Sequence, residues 1–510
     1  PQDRKSELTS YHYHNVRGNL IRCCSPEERI ATAVYVIRPV PKRYAWGSYS
    51  RLQTLFADEL PAQMLDDGQP LAEMWFSGHP QSPSRLEAPD GSCTTVPQAI
   101  RDHPEAMVGR RVSEQFGPEL PFLFKIIAAR IPLSLQVHPV DFEARAGFNA
   151  QNAQGIAMDA PERSFHDTAA KSEMVVALEP FHASVGFGTI RFMLRNLSMV
   201  GHPLASRMVE ALTERTMRIG QTPEGFEQAD AMMPVSSMVW PDSRRRIFRA
   251  FYTAITAPPT DDLQAQLRYA SLRVSDPVSR LAFRHALAAA EAFPADPSVL
   301  TLLMLNPVSL QEGESVFIPA GTPHAYIHGT AAEIMNNSDN VLRAGMTVKH
   351  KDIPRLLHTL NCQSGAPVDP ADSQFGDMAT RDGNLIVYRP HIDQFMLAYG
   401  TTGPHAQAWP VMDRVHRRYG ALLRQLTLGR VNQGRNKPRI VLCTHGMVRC
   451  SSEQESRVLS AGQAVFVPAC EGWVTVESAG DESEGVAGRD GQAGRDGLVG
   501  GSFLMATTQV

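Results

Sequence analysis

The sequence predicts a mainly β protein made of two similar β units, with an all-helical insertion in the first. Three observations carry that expectation. Short β-branched runs bounded by Pro and Gly fill residues 34–188 and most of the chain after 303. Between 189 and 302 apolar residues instead recur at spacings of three and four, the period of a helix face. Finally, EGESVFIPAG at 312–321 resembles AGQAVFVPAC at 461–470, so that Gly313 answers Gly462, Phe317 answers Phe466 and Pro319 answers Pro468. The expected organisation is a flexible extension over 1–33, a first β unit over 34–188 and 303–374, a helical domain over 189–302, and a second β unit over 375–510 with a loop insertion near 478–500.

Regular structure is expected from Ala33, where AVYVIRPV has the length and composition of a strand. A short helix near 50–65 precedes LAEMWFSGHP, in which Glu73 and Trp75 share a face. PFLFKIIAA from Pro121 reads as a buried strand with one charge, Lys125, which needs a partner or an anionic ligand. SLQVHP then sets Gln136 and His138 on one face, and KSEMVVALEP does the same for Lys171 and Glu173. In the helical stretch, segments such as PLASRMVEALTERTMRI and DPVSRLAFRHALAAAEAF begin with Pro or Asp start signals. The run Arg244, Arg245, Arg246 there reads as a solvated helix face.

From Gln311 the chain makes a turn, an apolar run at Val316, Phe317 and Ile318, and a break at Pro319 and Gly321. His324 and Tyr326 follow two residues apart, hence on one face of a strand. Glu333, Asp339 and Arg343 come next, a group too polar for an ordinary buried sheet. KHKDIPRLLHTL reads as a short helix, and strands resume after about 375 in LIVYRP, FMLAYG and PRIVLCTHGMV. The repeat offset carries His324 onto Trp473, so the second unit keeps the turn and strand and lacks the histidine. The GRDG repeats at 488 and 494 read as a disordered loop.

Composition narrows the class. With 49 basic and 53 acidic residues the formal net charge is −4, which points to neither nucleic acid nor an anionic membrane as partner. Seven cysteines without framework spacing suit reduced thiols in a cytoplasmic protein. No apolar run has the length of a membrane span.

Gln136, His138, Glu173 and His324 stand out as a donor set. Two imidazoles, a carboxylate and an amide oxygen suit a divalent ion of the zinc class, with cobalt, nickel or manganese as alternatives. The weak amide leaves room for water or a substrate oxygen.

YAWGS at 44–48, AEMWFSGHP at 72–80, PFLFKI and LSLQVHP within 121–139, KSEM at 171–174, and PAGTPHAYIHG with SDNVLRAGMT keep the order of a known motif series. They resemble the type I mannose-6-phosphate isomerases, from about residue 35 to 360. The resemblance implies two cupin (jelly-roll) β domains, the first of them catalytic and interrupted by the helical domain. It implies an aldose–ketose isomerase that interconverts mannose 6-phosphate and fructose 6-phosphate through a cis-enediolate, with one zinc ion per chain on Gln136, His138, Glu173 and His324. Arg343, Asp339, Lys171 and Glu333 would be catalytic, with Asp339, Glu333 or Lys171 moving the proton. Glu73, Lys125, Ser134, Tyr326 and Lys349 would meet a sugar phosphate. A cytoplasmic monomer is expected.

One departure stands out. The family reads Asn-His-Lys-Pro-Glu where this chain has Ala169, Ala170, Lys171, Ser172 and Glu173. Either another group does the histidine's work, or activity is impaired, or the histidine only shapes the loop. A non-catalytic sugar-binding bicupin would need the fold alone, and an iron dioxygenase of that fold would favour closely spaced histidines over Gln136.

Overall fold

Residues 33–214, 222–372, 374–403, 409–425, 436–480 and 498–510 are described by a computed structural model, together with a short strand pair, Asn15–Val16 with Asn19–Leu20. Otherwise the expected N-terminal extension lies outside the described residues, as do the GRDG repeats.

The strand-forming runs pair into two antiparallel sheets, apart from one short parallel edge pair. The first runs from Leu305–Leu310 through Phe181–Phe187, His324–Asn336, Phe122–Ala129 and Glu73–Phe76 to Val40–Lys42. Glu173–Ala177 pairs with both Ser315–Ile318 and His324–Asn336, and Leu135–Val137 joins His324–Asn336 to Leu342–Gly345. The central strand shows how period-2 alternation sorts side chains. Phe122, Phe124, Ile126 and Ala128 enter the largest core, whereas Ile127 packs on the other face with Tyr326 and Val175.

The strand His324–Asn336 breaks this alternation once. Ala183 lies opposite Tyr326 but His182 lies opposite His328, so one extra residue bulges out. Gly329 follows with φ +123°, and a Cβ there would stand 2.4 Å from Pro180 O. Because of this bulge, Tyr326 and Glu333 share a face although they are seven residues apart.

Helices Ile190–Leu197, Pro203–Thr213, Asp242–Thr256, Leu263–Ser271 and Pro277–Ala292 lie between two strands, Phe181–Phe187 and Leu305–Leu310, that are direct neighbours. Their starts follow the sequence signals. Thr189 accepts from Phe192 N, and Asp276 accepts from Ser279 N just before Pro277. The arginine run corrects the solvated-face expectation, since all three residues are half-buried. Arg244 stacks 4.0 Å over Trp240, Arg245 donates to Trp240 O, and Arg246 binds Asp242 and Leu212 O. Long stems let these charges cover apolar helix surface.

The second sheet contains Gly376–Arg381, Leu385–Pro390, Met396–Thr401, Gly501–Thr507, Arg439–Ser451 and Ala464–Val467, and continues into the N-terminal strands Tyr35–Arg38, Arg85–Glu87 and Cys93–Thr95. β-Pairing therefore crosses the boundary drawn at residue 375, and one core holds Phe76 and Phe124 together with Phe466 and Leu504. The internal repeat is also structural. Gly313 and Gly462 turn with φ +81° and +85°, and the strands after them pair alike. Ile318 lies opposite Glu173, and Val467 lies opposite Arg439. The fully buried Arg439 donates from Nη1 to Gly472 O at 2.6 Å and from Nη2 to Pro468 O at 2.5 Å. Val441, Cys443, Val465 and Phe503 fill the neighbouring interior. No described helix is long and apolar enough to cross a membrane.

Candidate active site

Three strands bring the expected ligands together. His324 lies directly across from Gln136, which lies across from Arg343 on its other side. Glu173 opens the neighbouring strand. The ligand atoms of His138, Glu173 and His324 lie within 4.8 Å of one another, and all three side chains are buried. His138 Nε2 is 3.0 Å from one Glu173 oxygen and His324 Nε2 is 3.4 Å from the other.

The imidazole protons are fixed from behind. His138 Nδ1 donates to Asn340 O at 2.8 Å, and His324 Nδ1 donates to Thr322 O at 2.9 Å. Each Nε2 therefore presents a lone pair towards a carboxylate, and His138 Nε2 is buried without a hydrogen-bond partner. Two lone pairs facing an anion at this range repel unless a cation lies among them. The group fits a divalent ion, with the carbonyl-backed tautomers common for metal-binding imidazoles. Gln136 is beside it, its amide nitrogen 3.2 Å from His324 Nε2, and a half-turn exchanges that nitrogen for the amide oxygen. Burial lowers the His138 pKa to about 4, keeping the ring neutral. For Glu173 burial acts upward, but the polar and charged groups around it, the Lys171 ammonium at 3.0 Å among them, outweigh it and hold the carboxyl well below the ordinary range.

A cavity of about 400 Å³ adjoins this group. Glu73, Glu173, Glu333 and Asp339 line it with four carboxylates, and Lys125, Lys171, Arg343 and Lys349 with four cations. Ser134, Gln136 and Tyr326 also line it, whereas His138 and His324 of the expected set do not. Lys125 finds the partner its strand demanded, with Nζ 2.5 Å from Glu333 and 3.4 Å from Glu73. Lys171 Nζ is 3.0 Å from Glu173. The Tyr326 hydroxyl is 2.6 Å from Glu333 and 3.1 Å from Glu173, and burial raises its pKa well above that of a free phenol. Arg343 and Lys349 have no carboxylate within ion-pair distance among the described residues. Burial lowers both their pKa values, and Lys349 lies 4.6 Å over the Tyr44 ring.

Some contributors escaped the sequence reading. Tyr44, Trp46 and Trp75 form an aromatic wall, and Ala292 and Phe293 reach the cavity from the end of a helix. The aromatics lie within motifs already noted, whereas nothing local marks Phe293. Ala170 is outside the cavity lining, with its backbone N donating to Asp141 Oδ1 at 3.1 Å.

A buried imidazole–carboxylate group opening on a charged cavity in an antiparallel sheet defines a metal-dependent enzyme for a small polar substrate. Residues 34–190 match the family described as phosphomannose isomerase type I, catalytic domain, and the mannose-6-phosphate isomerase of Salmonella typhimurium is 30% identical over 444 residues, 86% of this chain and 96% of that protein. The chain belongs to this family, the mannose-6-phosphate isomerases. The Escherichia coli relative is 30% identical over 441 residues, with the same coverage. A crystal structure of the Salmonella typhimurium enzyme bound to fructose 6-phosphate and zinc is similar with a TM-score of 0.67 and 26% identity, covering 94% of this chain and 100% of that one.

Proposed function

We infer that the chain is a zinc-dependent aldose–ketose isomerase that interconverts mannose 6-phosphate and fructose 6-phosphate. The observation that carries this reading is the buried His138, Glu173 and His324 group beside a cavity of four carboxylates and four cations. Those eight charges sum to zero. A divalent ion brings the site to +2, which a phosphate ester dianion cancels. A non-catalytic sugar binder has no use for so many buried charges around a ligand set.

His138, Glu173, His324 and Gln136 would hold zinc, which when bound polarises a sugar oxygen as a Lewis acid. Among the described residues Arg343 and Lys349 have no anionic partner of their own, so they suit the phosphate or a developing oxyanion. Lys125 and Lys171 are already neutralised, and their role is to orient hydroxyl groups and hold Glu333 and Glu173. Glu73 and Ser134 offer further acceptors along the wall, and Tyr326 fixes Glu333. Of the three groups expected to move the proton, Lys171 is tied to Glu173 and Glu333 to Lys125 and Tyr326. Asp339 has no side-chain ion pair among the described residues, so we assign it the transfer between C1 and C2. The base takes the C2 proton and returns it to C1 while the hydroxyl proton on O2 passes to O1, so the aldose becomes the ketose with no atom gained or lost.

We further propose that both β units are cupin jelly rolls. The first is catalytic and interrupted by the helical domain, and the second lacks metal ligands and is completed by N-terminal strands. A cytoplasmic monomer with one zinc per chain fits the thiol usage and charge balance. The test is zinc content together with a coupled assay on mannose 6-phosphate. Turnover that tracks zinc occupancy is expected, and a zinc-loaded protein without turnover overturns the reading.

A further inference from the structure

Asn340 is fully buried and touches two parts of the site at once. Its backbone carbonyl accepts the His138 Nδ1 proton at 2.8 Å, which leaves Nε2 bare towards Glu173. Its side chain grips the loop that leads into Lys171 and Glu173. Oδ1 accepts from His166 N at 2.7 Å and Asp167 N at 3.3 Å. Nδ2 donates to Asp167 O at 3.0 Å, Asp167 Oδ1 at 3.0 Å and Ala169 O at 3.1 Å. Asp167 returns the contact, its Oδ2 accepting from Asp339 N at 3.1 Å. Two donors on one side and three acceptors on the other fix the amide orientation, and only an amide satisfies both. Ala169 and Ala170 bring no polar side chain of their own, so the loop is anchored chiefly from across the fold.

We propose that Asn340 is the positioning residue of the metal centre. It sets the His138 tautomer with its backbone and the approach of Glu173 with its amide, joining ligands 35 positions apart in the sequence. The inference rests on reading His138 and Glu173 as metal ligands. Partners of metal ligands that lie outside the coordination sphere typically govern affinity by about 10- to 100-fold.

The experiment measures the zinc dissociation constant of the full chain by chelator competition, with the apo-protein unfolding midpoint alongside. Asn340→Asp sets a carboxylate 3.0 Å from Asp167, and is expected to weaken zinc binding by about 10- to 100-fold. The double variant Asp167→Asn with Asn340→Asp exchanges donor and acceptor in the side-chain pair alone, leaving the Asp167 and Ala169 carbonyls unserved, and is expected to recover part of that loss. A structural defect alone gives no such rescue. Asn340→Ser removes the loop contacts without adding charge, and is expected to weaken zinc binding about tenfold. It decides the matter by itself if the aspartate variant fails to fold. Zinc affinity within about twofold of the parent in the folded variants, or a double variant no tighter than Asn340→Asp, overturns the proposal. Glu173→Gln separates the two readings: if it also keeps parental affinity, the ligand assignment fails, and if it loses zinc while the Asn340 variants do not, only the role of Asn340 fails.

Discussion

At the scale of single residues, two kinds of buried histidine behave differently. His138 and His324 have their Nδ1 protons bound and their Nε2 atoms turned to Glu173. Glu173→Gln removes the only formal negative charge among the proposed ligands, so stoichiometric zinc is expected to be lost and turnover to fall by more than about a hundredfold, checked by metal analysis and coupled assay. His285 sits instead on the helix Pro277–Ala292 against the strand Phe181–Phe187 and is not part of the site. Its Nδ1 is 3.0 Å from Ser184 Oγ, its Nε2 has no partner among the described residues, and burial lowers its pKa to about 3, with His182 and Arg284 adding to the shift. Unfolded chains protonate this ring below about pH 6.5 while the fold refuses the proton until about pH 3. Stability therefore falls with pH across that window, by about 1.4 kcal/mol per unit from this group. Urea midpoints at pH 7 and pH 5 should converge in His285→Gln relative to the parent. The candidate ligands were legible because spacing of two places residues on one face. The tautomers were not, because carbonyls from distant loops set them.

Elements carry the next layer. A regular strand would send Tyr326 and Glu333 to opposite faces, and the bulge before Gly329 reunites them. Gly329→Ala meets both the positive φ and the Pro180 carbonyl, so about 1–3 kcal/mol of strain is expected. A lower melting temperature and a lower kcat should appear together, since relief of the bulge turns Glu333 away from the cavity. Sequence alternation could not reveal this, because a glycine in a strand leaves open which way the parity shifts. The internal repeat was more readable, through two glycines and two prolines in register. What it hid is that Arg439 takes the place of Glu173. Arg439→Met leaves two carbonyls without donors, each worth about 1–3 kcal/mol. Thermal stability is expected to fall while zinc content stays that of the parent, and a change in zinc content would show that the second unit does touch the metal.

For the whole molecule, the helical stretch and the two β regions were visible as changes of period, whereas the partition between units was not. Strand Tyr35–Arg38 pairs with Ala464–Val467, a union more than 400 residues apart that no local pattern encodes. Residues 375–510 made alone would lack those strands and half of a shared core, so no cooperative unfolding transition is expected from that fragment, by calorimetry or urea titration. The zero sum of charges around the cavity has a consequence at the same scale. Without its ion the site has little net pull on a dianion, and with it the ion and the sugar phosphate hold one another. Such linkage is reciprocal: whatever factor the ion lends to substrate affinity, the substrate returns as resistance to stripping of the ion by a chelator.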